Sequence, residues 1–136
     1  MTIARFESRQ TVGIRWVSHV LQRIVATMLR DRSIGRRLEV ASRTYAERRQ
    51  ALIDALHAHD IEAHGASGLN VWIPVDDELS VVQGLLQRGW AVQAGSRYRI
   101  GTPPAIRVTV ASLATKDALR FGADLAAVVM RSTSSA

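Results

Sequence analysis

Arg107 lies between Ile106 and Val108, and the apolar run Ile106, Val108 and Val110 alternates with Arg107, Thr109 and Ala111. Successive side chains of a strand point to opposite faces, so an apolar set facing a core sends Arg107 the other way. A guanidinium held on a rigid strand is suited to gripping a carboxylate through two parallel hydrogen bonds. By pattern alone, the same residue also fits a solvated position or a surface ion pair. The other candidates carry less chemistry. His57 and His59, two apart on a helix, point in different directions and chelate a metal poorly; with His19 and His64 they suit surface or packing roles, and no metal site is expected. Gly65, Ala66, Ser67 and Gly68 have neither Walker nor dinucleotide spacing and precede no helix, so they read as a loop entering a strand. Ser18 and Ser67 lack an elbow motif, which leaves nucleophilic catalysis unsupported. Trp16, Trp72 and Trp90 sit in apolar patterns and read as core or interface residues.

These residues must be positioned by a chain of 136 residues, enough for one domain or a large piece of a bigger one. A hydrophobic share of 47% with 22% charged residues is that of a globular chain. The absence of cysteine excludes disulfides, thiolate metal sites and thiol nucleophiles, and fits a cytoplasmic location. No run approaches the roughly 20 apolar residues of a membrane span, and the opening residues lack the pattern of a secretory signal, so no membrane partner is expected. The formal net charge is +6, and the excess is local. Residues 1–50 hold 11 Arg against four acidic residues, and the remainder holds seven basic against eight acidic. Such a segment attracts phosphates or an acidic surface, or is simply a solvated, arginine-rich helical face.

Helical spacing of Trp16, Val17, Val20, Leu21, Ile24, Val25, Met28 and Leu29 predicts a strongly amphipathic helix, with Gly13 before it and Asp31 to Ser33 after it as end signals. A second helix is expected from near Ile34 to Ala58, with Tyr45, Leu52, Ile53 and Leu56 on one stripe and Arg43, Arg48 and Arg49 largely off it. A short strand around Ile61 to Ala63 and a strand over Leu69 to Val75, edged by Pro74, follow. Asp76 or Asp77 can cap a helix carrying Leu79, Val82, Leu85 and Leu86, closed by Gly89. Trp90 to Ala94 reads as a strand, Gly95 to Pro104 as a loop, and Ile106 to Val110 as the last strand. Thr115 can cap a final helix with a stripe of Leu119, Ala123, Ala126, Val129 and Met130. The order describes a layered α+β unit. The wide apolar face of the first helix needs something to pack against.

Several segments, taken in order, resemble one family. Ser8 to Gln10 and then Gly13 to Gln22 are similar to the segment after the cofactor-lysine loop in the MocR subgroup of GntR-type regulators, which join a winged helix to an aminotransferase-like domain. Thr44 to Arg49 leading into Leu52 to Leu56 resembles the long interdomain helix of fold-type-I aminotransferases. Gly68 to Val75 looks like the family's Gly-Leu-His/Asn strand, and Pro104 to Ser112 like the strand whose arginine binds the substrate α-carboxylate. The resemblance runs from about Thr2 to Val129. It implies the small domain of such an enzyme: a mostly antiparallel sheet packed on helices, preceded by a long amphipathic helix. Residues 1–33 would be a large-domain or linker remnant, 34–131 the small domain, and 132–136 a disordered tail.

Carried over residue by residue, the resemblance makes Arg107 the carboxylate-binding arginine and Tyr98 an aromatic residue lining the substrate entrance. It implies pyridoxal 5′-phosphate as the family's cofactor. The Schiff-base lysine and the phosphate-binding arginine would fall before Met1, and Lys116, in a stretch matching no cofactor motif, does not replace the lysine. Without the imine there is no electron sink, so this chain alone is expected to be inactive as a transaminase and not to bind the cofactor stably. A truncated gene product, a mis-assigned start and a split-gene remnant all fit. The expected partners are a second copy or the missing large domain, and an amino-acid carboxylate as ligand; DNA would be contacted only through an absent winged helix. The alternatives are a stand-alone basic module binding nucleic acid or an acidic protein, and a cofactor-free carboxylate sensor built on Arg107.

Overall fold

The computed structural model describes residues 18–133. Gly13, Trp16 and Val17 of the first expected helix lie outside the described residues, as do residues 134–136 of the tail. The chain divides into two compact units, Met1–Val40 and Ala41–Ala136, and the division falls within a helix, further along than the junction expected after residue 33.

Ser18 caps α1 (His19–Arg30) by accepting the Leu21 N–H at 3.5 Å. Asp31 closes it, and the Asp31 carboxylate accepts the Ser33 N–H at 2.7 Å at the start of α2 (Arg32–His57). The periodicity of α1 is thus realised as a helix, yet none of its residues is buried. Val20, Leu21, Ile24, Val25, Met28 and Leu29 are between 47% and 67% exposed.

In the second unit, β1 (Asn70–Pro74), β2 (Gln93–Ala94) and β3 (Ala105–Thr109) form an antiparallel sheet in the order β1-β3-β2. With α2, α3 (Glu78–Leu86) and α4 (Ala118–Thr133) this is the expected α+β fold. The core joins Leu52 and Leu56 of α2, Val71 and Ile73 of β1, and Val81 and Leu85 of α3. Ile106 and Val108 of β3, then Val110, meet them with Phe121, Leu125 and Val128 of α4. Pro74 ends the outer strand β1, where its missing N–H leaves no ladder bond unmade. Asp77, rather than Asp76, caps α3, accepting the Leu79 and Ser80 N–H groups at 2.9 and 3.3 Å.

Several elements differ from the periodicity-based expectation. Residues 61–63 form no strand; instead His64 makes a single bridge to Trp72, with both backbone hydrogen bonds at 2.8 Å. The strand expected from Trp90 contracts to Gln93–Ala94, because Trp90 turns into the core edge. Its indole stands edge-on to Phe121, with centroids 5.3 Å apart, and donates to Asp124 at 2.7 Å. Thr115 does not cap the last helix but begins a 3-10 turn, Thr115–Asp117, and the helix continues to Thr133.

The helix faces also turn. Leu79, Leu86, Leu119 and Met130 are 62–72% exposed, while Val81, Ala118, Phe121, Leu125 and Val128 are buried; of the stripe expected on α4, Ala126 is buried and Val129 partly so. Glycines set these faces. A Cβ on Gly84 would lie 2.8 Å from Val128 Cγ1, and one on Gly122 would lie 2.8 Å from the Ala55 carbonyl oxygen. The helices cross where a side chain is missing, so a stripe counted from large apolar residues alone points the wrong way.

Gly122→Ala tests this crossing. Alanine gains about 1 kcal/mol of helix propensity, but its methyl meets a backbone oxygen that cannot rotate away, at a cost of about 1–3 kcal/mol. A net loss of about 1 kcal/mol is expected in urea denaturation; a stabilised variant would show that the helices do not meet there.

Candidate carboxylate-binding site

The face of the sheet opposite the core carries a row of three side chains. Arg107 on the central strand is paired with Trp72 of β1 on one side and with Gln93 of β2 on the other. Because Ile106 and Val108 are buried, Arg107 points away from the core, as the alternation predicts; it is half-buried. Its guanidinium lies over the Tyr98 ring, 3.8 Å from the centroid. Its Nη2 donates to Gln93 Oε1 at 2.7 Å, and the Tyr98 hydroxyl donates to the same oxygen. The Arg107 Nε, by contrast, is buried and has no hydrogen-bond partner. A buried donor left unpaired costs about 1–3 kcal/mol.

Tyr98 is brought to Arg107 by the segment after β2. Gly95 to Arg97 form a 3-10 turn that ends at Tyr98. Gly95 sits tightly on the row, since a Cβ there would be 2.5 Å from the Ala105 carbonyl oxygen and 2.7 Å from the Trp72 ring. The turn is clasped from below by Glu78, in the first turn of α3. One carboxylate oxygen accepts the Ser96 N–H at 2.9 Å, and the other accepts the Ala105 N–H at 3.0 Å. Arg99 completes the clasp at 3.1 Å. Partial burial pushes the Glu78 carboxyl up, but the Ala105 and Ser96 N–H groups, the Ser96 hydroxyl and Arg99 outweigh it and hold its pKa below the ordinary glutamate value.

Sequence reasoning singled out Arg107 and Tyr98, and the structure brings those two together. It missed Gln93 and Glu78. The role of Gln93 depends on the register of a two-residue strand, and that of Glu78 on a loop folding back over α3, neither of which leaves a local pattern. The arginines expected off the α2 stripe divide. Arg48 donates to the Ala111 carbonyl and Arg49 to the Gly68 carbonyl at 2.8 Å, so both staple loops; Arg43 is exposed. The four histidines are exposed, His64 standing 3.0 Å from Glu62. No described helix is long and apolar enough to cross a membrane.

The sequence pattern of the aminotransferase class I and II family matches residues 4–122, and the chain belongs to that family. It is similar to the vitamin B6 salvage pathway transcriptional repressor PtsJ of Salmonella typhimurium, with 31% identity over 126 residues covering 91% of this chain and 29% of that protein. Among solved structures, it resembles the α-aminoadipate aminotransferase LysN of Thermus thermophilus, complexed with N-(5′-phosphopyridoxyl)-L-leucine: 18% identity, TM-score 0.69, covering 96% of this chain and 35% of that one. An archaeal alanine:glyoxylate aminotransferase aligns with TM-score 0.57 and 22% identity, over 65% of this chain and 24% of that one. The two structures establish the aminotransferase fold, and the chain spans only about a third or less of the length of each of these three proteins.

Aminotransferases of this family generally use pyridoxal 5′-phosphate. The described residues do not fit that group. The chain's single lysine, Lys116, is exposed in the 3-10 turn before α4, beyond the end of β3 and on a different element from Tyr98 and Gln93.

The Glu78 clasp makes stability depend on pH with a definite sign. A carboxyl whose folded pKa is depressed contributes fully above its unfolded value, and the contribution disappears as pH falls through the folded value. Glu78→Gln is expected to cost about 1–2 kcal/mol at neutral pH, and the gap to wild type should close on acidification below about pH 4. Thermal melts across that range measure it; a gap independent of pH would remove the ionised clasp.

Proposed function

We propose that this chain is the carboxylate-recognising part of an aminotransferase-like domain in a MocR/GntR-type transcription regulator. In this reading it keeps the substrate arginine and lacks the Schiff-base lysine. Support for the regulator class comes from the similarity to PtsJ, which is a repressor. Support for the ligand class comes from one observation: Arg107 carries a buried, unpartnered Nε on a rigid strand beside a tyrosine and a glutamine. The ligand is an amino acid held by its carboxylate. Arg107 orients it, and Tyr98 stands beside the guanidinium at the entrance.

The apolar face of α1 belongs to the same proposal. Six exposed large apolar residues on 12 positions are more than a free surface helix carries, and the remainder of an aminotransferase-like domain or a second copy would cover them. Pyridoxal phosphate then acts in the assembled protein, anchored by residues other than those described. The alternative of a basic interaction module rests on the exposed arginines Arg23, Arg30, Arg32, Arg36 and Arg37, with Arg48 and Arg49 already committed to loop carbonyls.

Two measurements test the proposal. In a chemical-shift titration with L-alanine, wild type should show saturable shifts around Arg107. Arg107→Ala should weaken binding about 10- to 100-fold, the loss expected for charge-assisted hydrogen bonds. Equal affinities would remove the ligand assignment. Added pyridoxal phosphate should give no stable imine band in the visible range with this chain; a stable band lost in Lys116→Ala would overturn the missing anchor.

A further inference from the structure

Gln93 is tied to Arg107 and Tyr98 by a single atom. Its Oε1 accepts from Arg107 Nη2 and from the Tyr98 hydroxyl. The orientation of the amide follows from its partners, because a flipped amide would set an NH2 group against a guanidinium that has only donors. Nη2 and Nε form one edge of the guanidinium, the edge that a carboxylate takes with both oxygens. An amide has one acceptor oxygen. Gln93 therefore takes one N–H of Nη2, and Nε, which shares an edge with Nη2, is the buried donor without a partner.

We infer that Gln93 is an internal stand-in for a ligand carboxylate: its Oε1 holds the place of one carboxylate oxygen, and an incoming acid displaces it. The incoming carboxylate would inherit both donors that Gln93 uses, Nη2 and the Tyr98 hydroxyl, and its second oxygen would meet the unpaired Nε. Three donors already gathered by the fold then serve one anion. Gln93 lies on an exposed position of β2, outside the hydrophobic core, so its side chain has room to swing into solvent. Tyr98 is 44% exposed and stays stacked on the guanidinium as Gln93 leaves. The arrangement keeps Arg107 oriented between ligands and makes Gln93 a competitor that sets affinity.

This inference rests on the carboxylate assignment for Arg107, but it has a signature without ligand. Gln93→Glu places a true carboxylate on the same edge. In the ligand-free full chain, the Arg107 Nε–H resonance should then move downfield and exchange more slowly, and the melting temperature should rise. L-alanine should bind at least 10-fold more weakly to Gln93→Glu, while Gln93→Ala should bind it about 3- to 10-fold more tightly, because the bound-ready state no longer competes with an internal acceptor. If Gln93 only props the site, Gln93→Ala will bind more weakly or unchanged, and the stand-in is wrong even though L-alanine binds. An unmoved Nε–H resonance in Gln93→Glu would overturn it as well. If wild type binds no L-alanine but the Gln93→Glu resonance shifts as described, the pairing at this edge stands and the ligand assignment falls by itself.

Discussion

The site rests on the alternation of β3. Ile106 and Val108 are fully or almost fully withdrawn from water, and each contributes about 1.5–3 kcal/mol by burial. Slipping the strand by one residue would expose both and press the Arg107 guanidinium into an apolar interior without a counter-charge, a change worth several kcal/mol more. The hydrophobic core thus fixes the direction of a cation that takes no part in it. Pairing on both sides of β3 then decides what lies beside that cation: Trp72 from β1 and Gln93 from β2.

Glu78 connects the two layers. It sits next to the α3 cap, and α3 is anchored in the core through Val81 and Leu85. By accepting the N–H groups of Ser96 and Ala105, it ties both ends of the 95–105 segment to that helix. Tyr98 stands within this tied loop, so its place over Arg107 is inherited from helix packing. Gly95 adds a second constraint, since only a residue without a side chain fits between the Ala105 carbonyl and the Trp72 ring. A loop of 11 residues with two prolines is thereby given one conformation where it faces the arginine.

Much of this frame was legible from residue spacing. Period-two alternation placed β1 and β3 and sent Arg107 outward, because each strand has one wet and one dry face. Aspartate at the start of α3 and glycine after its end marked that helix for local reasons of capping. The family resemblance pointed to Tyr98. Spacing failed wherever contact was made by small residues or by single polar atoms. The α4 stripe was misjudged because Gly122, which carries almost no hydrophobic weight, lies against the Ala55 carbonyl of α2, and the small Ala118 is buried as well. Trp90 looked like a strand residue but is drawn to Phe121 and Asp124, partners 31 and 34 positions away in sequence. Gln93 carried no signal at all, since one amide in a short strand gains meaning only once its neighbours are known.

The first helix leaves a thermodynamic consequence. A helix of 12 residues is marginal in water, because nucleation costs more than a few turns return. Among the described residues, its order comes from the Ser18 cap and its own hydrogen bonds, as none of its side chains is buried. The coil-to-helix balance of residues 19–30 therefore responds to the medium and to whatever surface covers that apolar face, while the sheet draws on the core formed with the other helices.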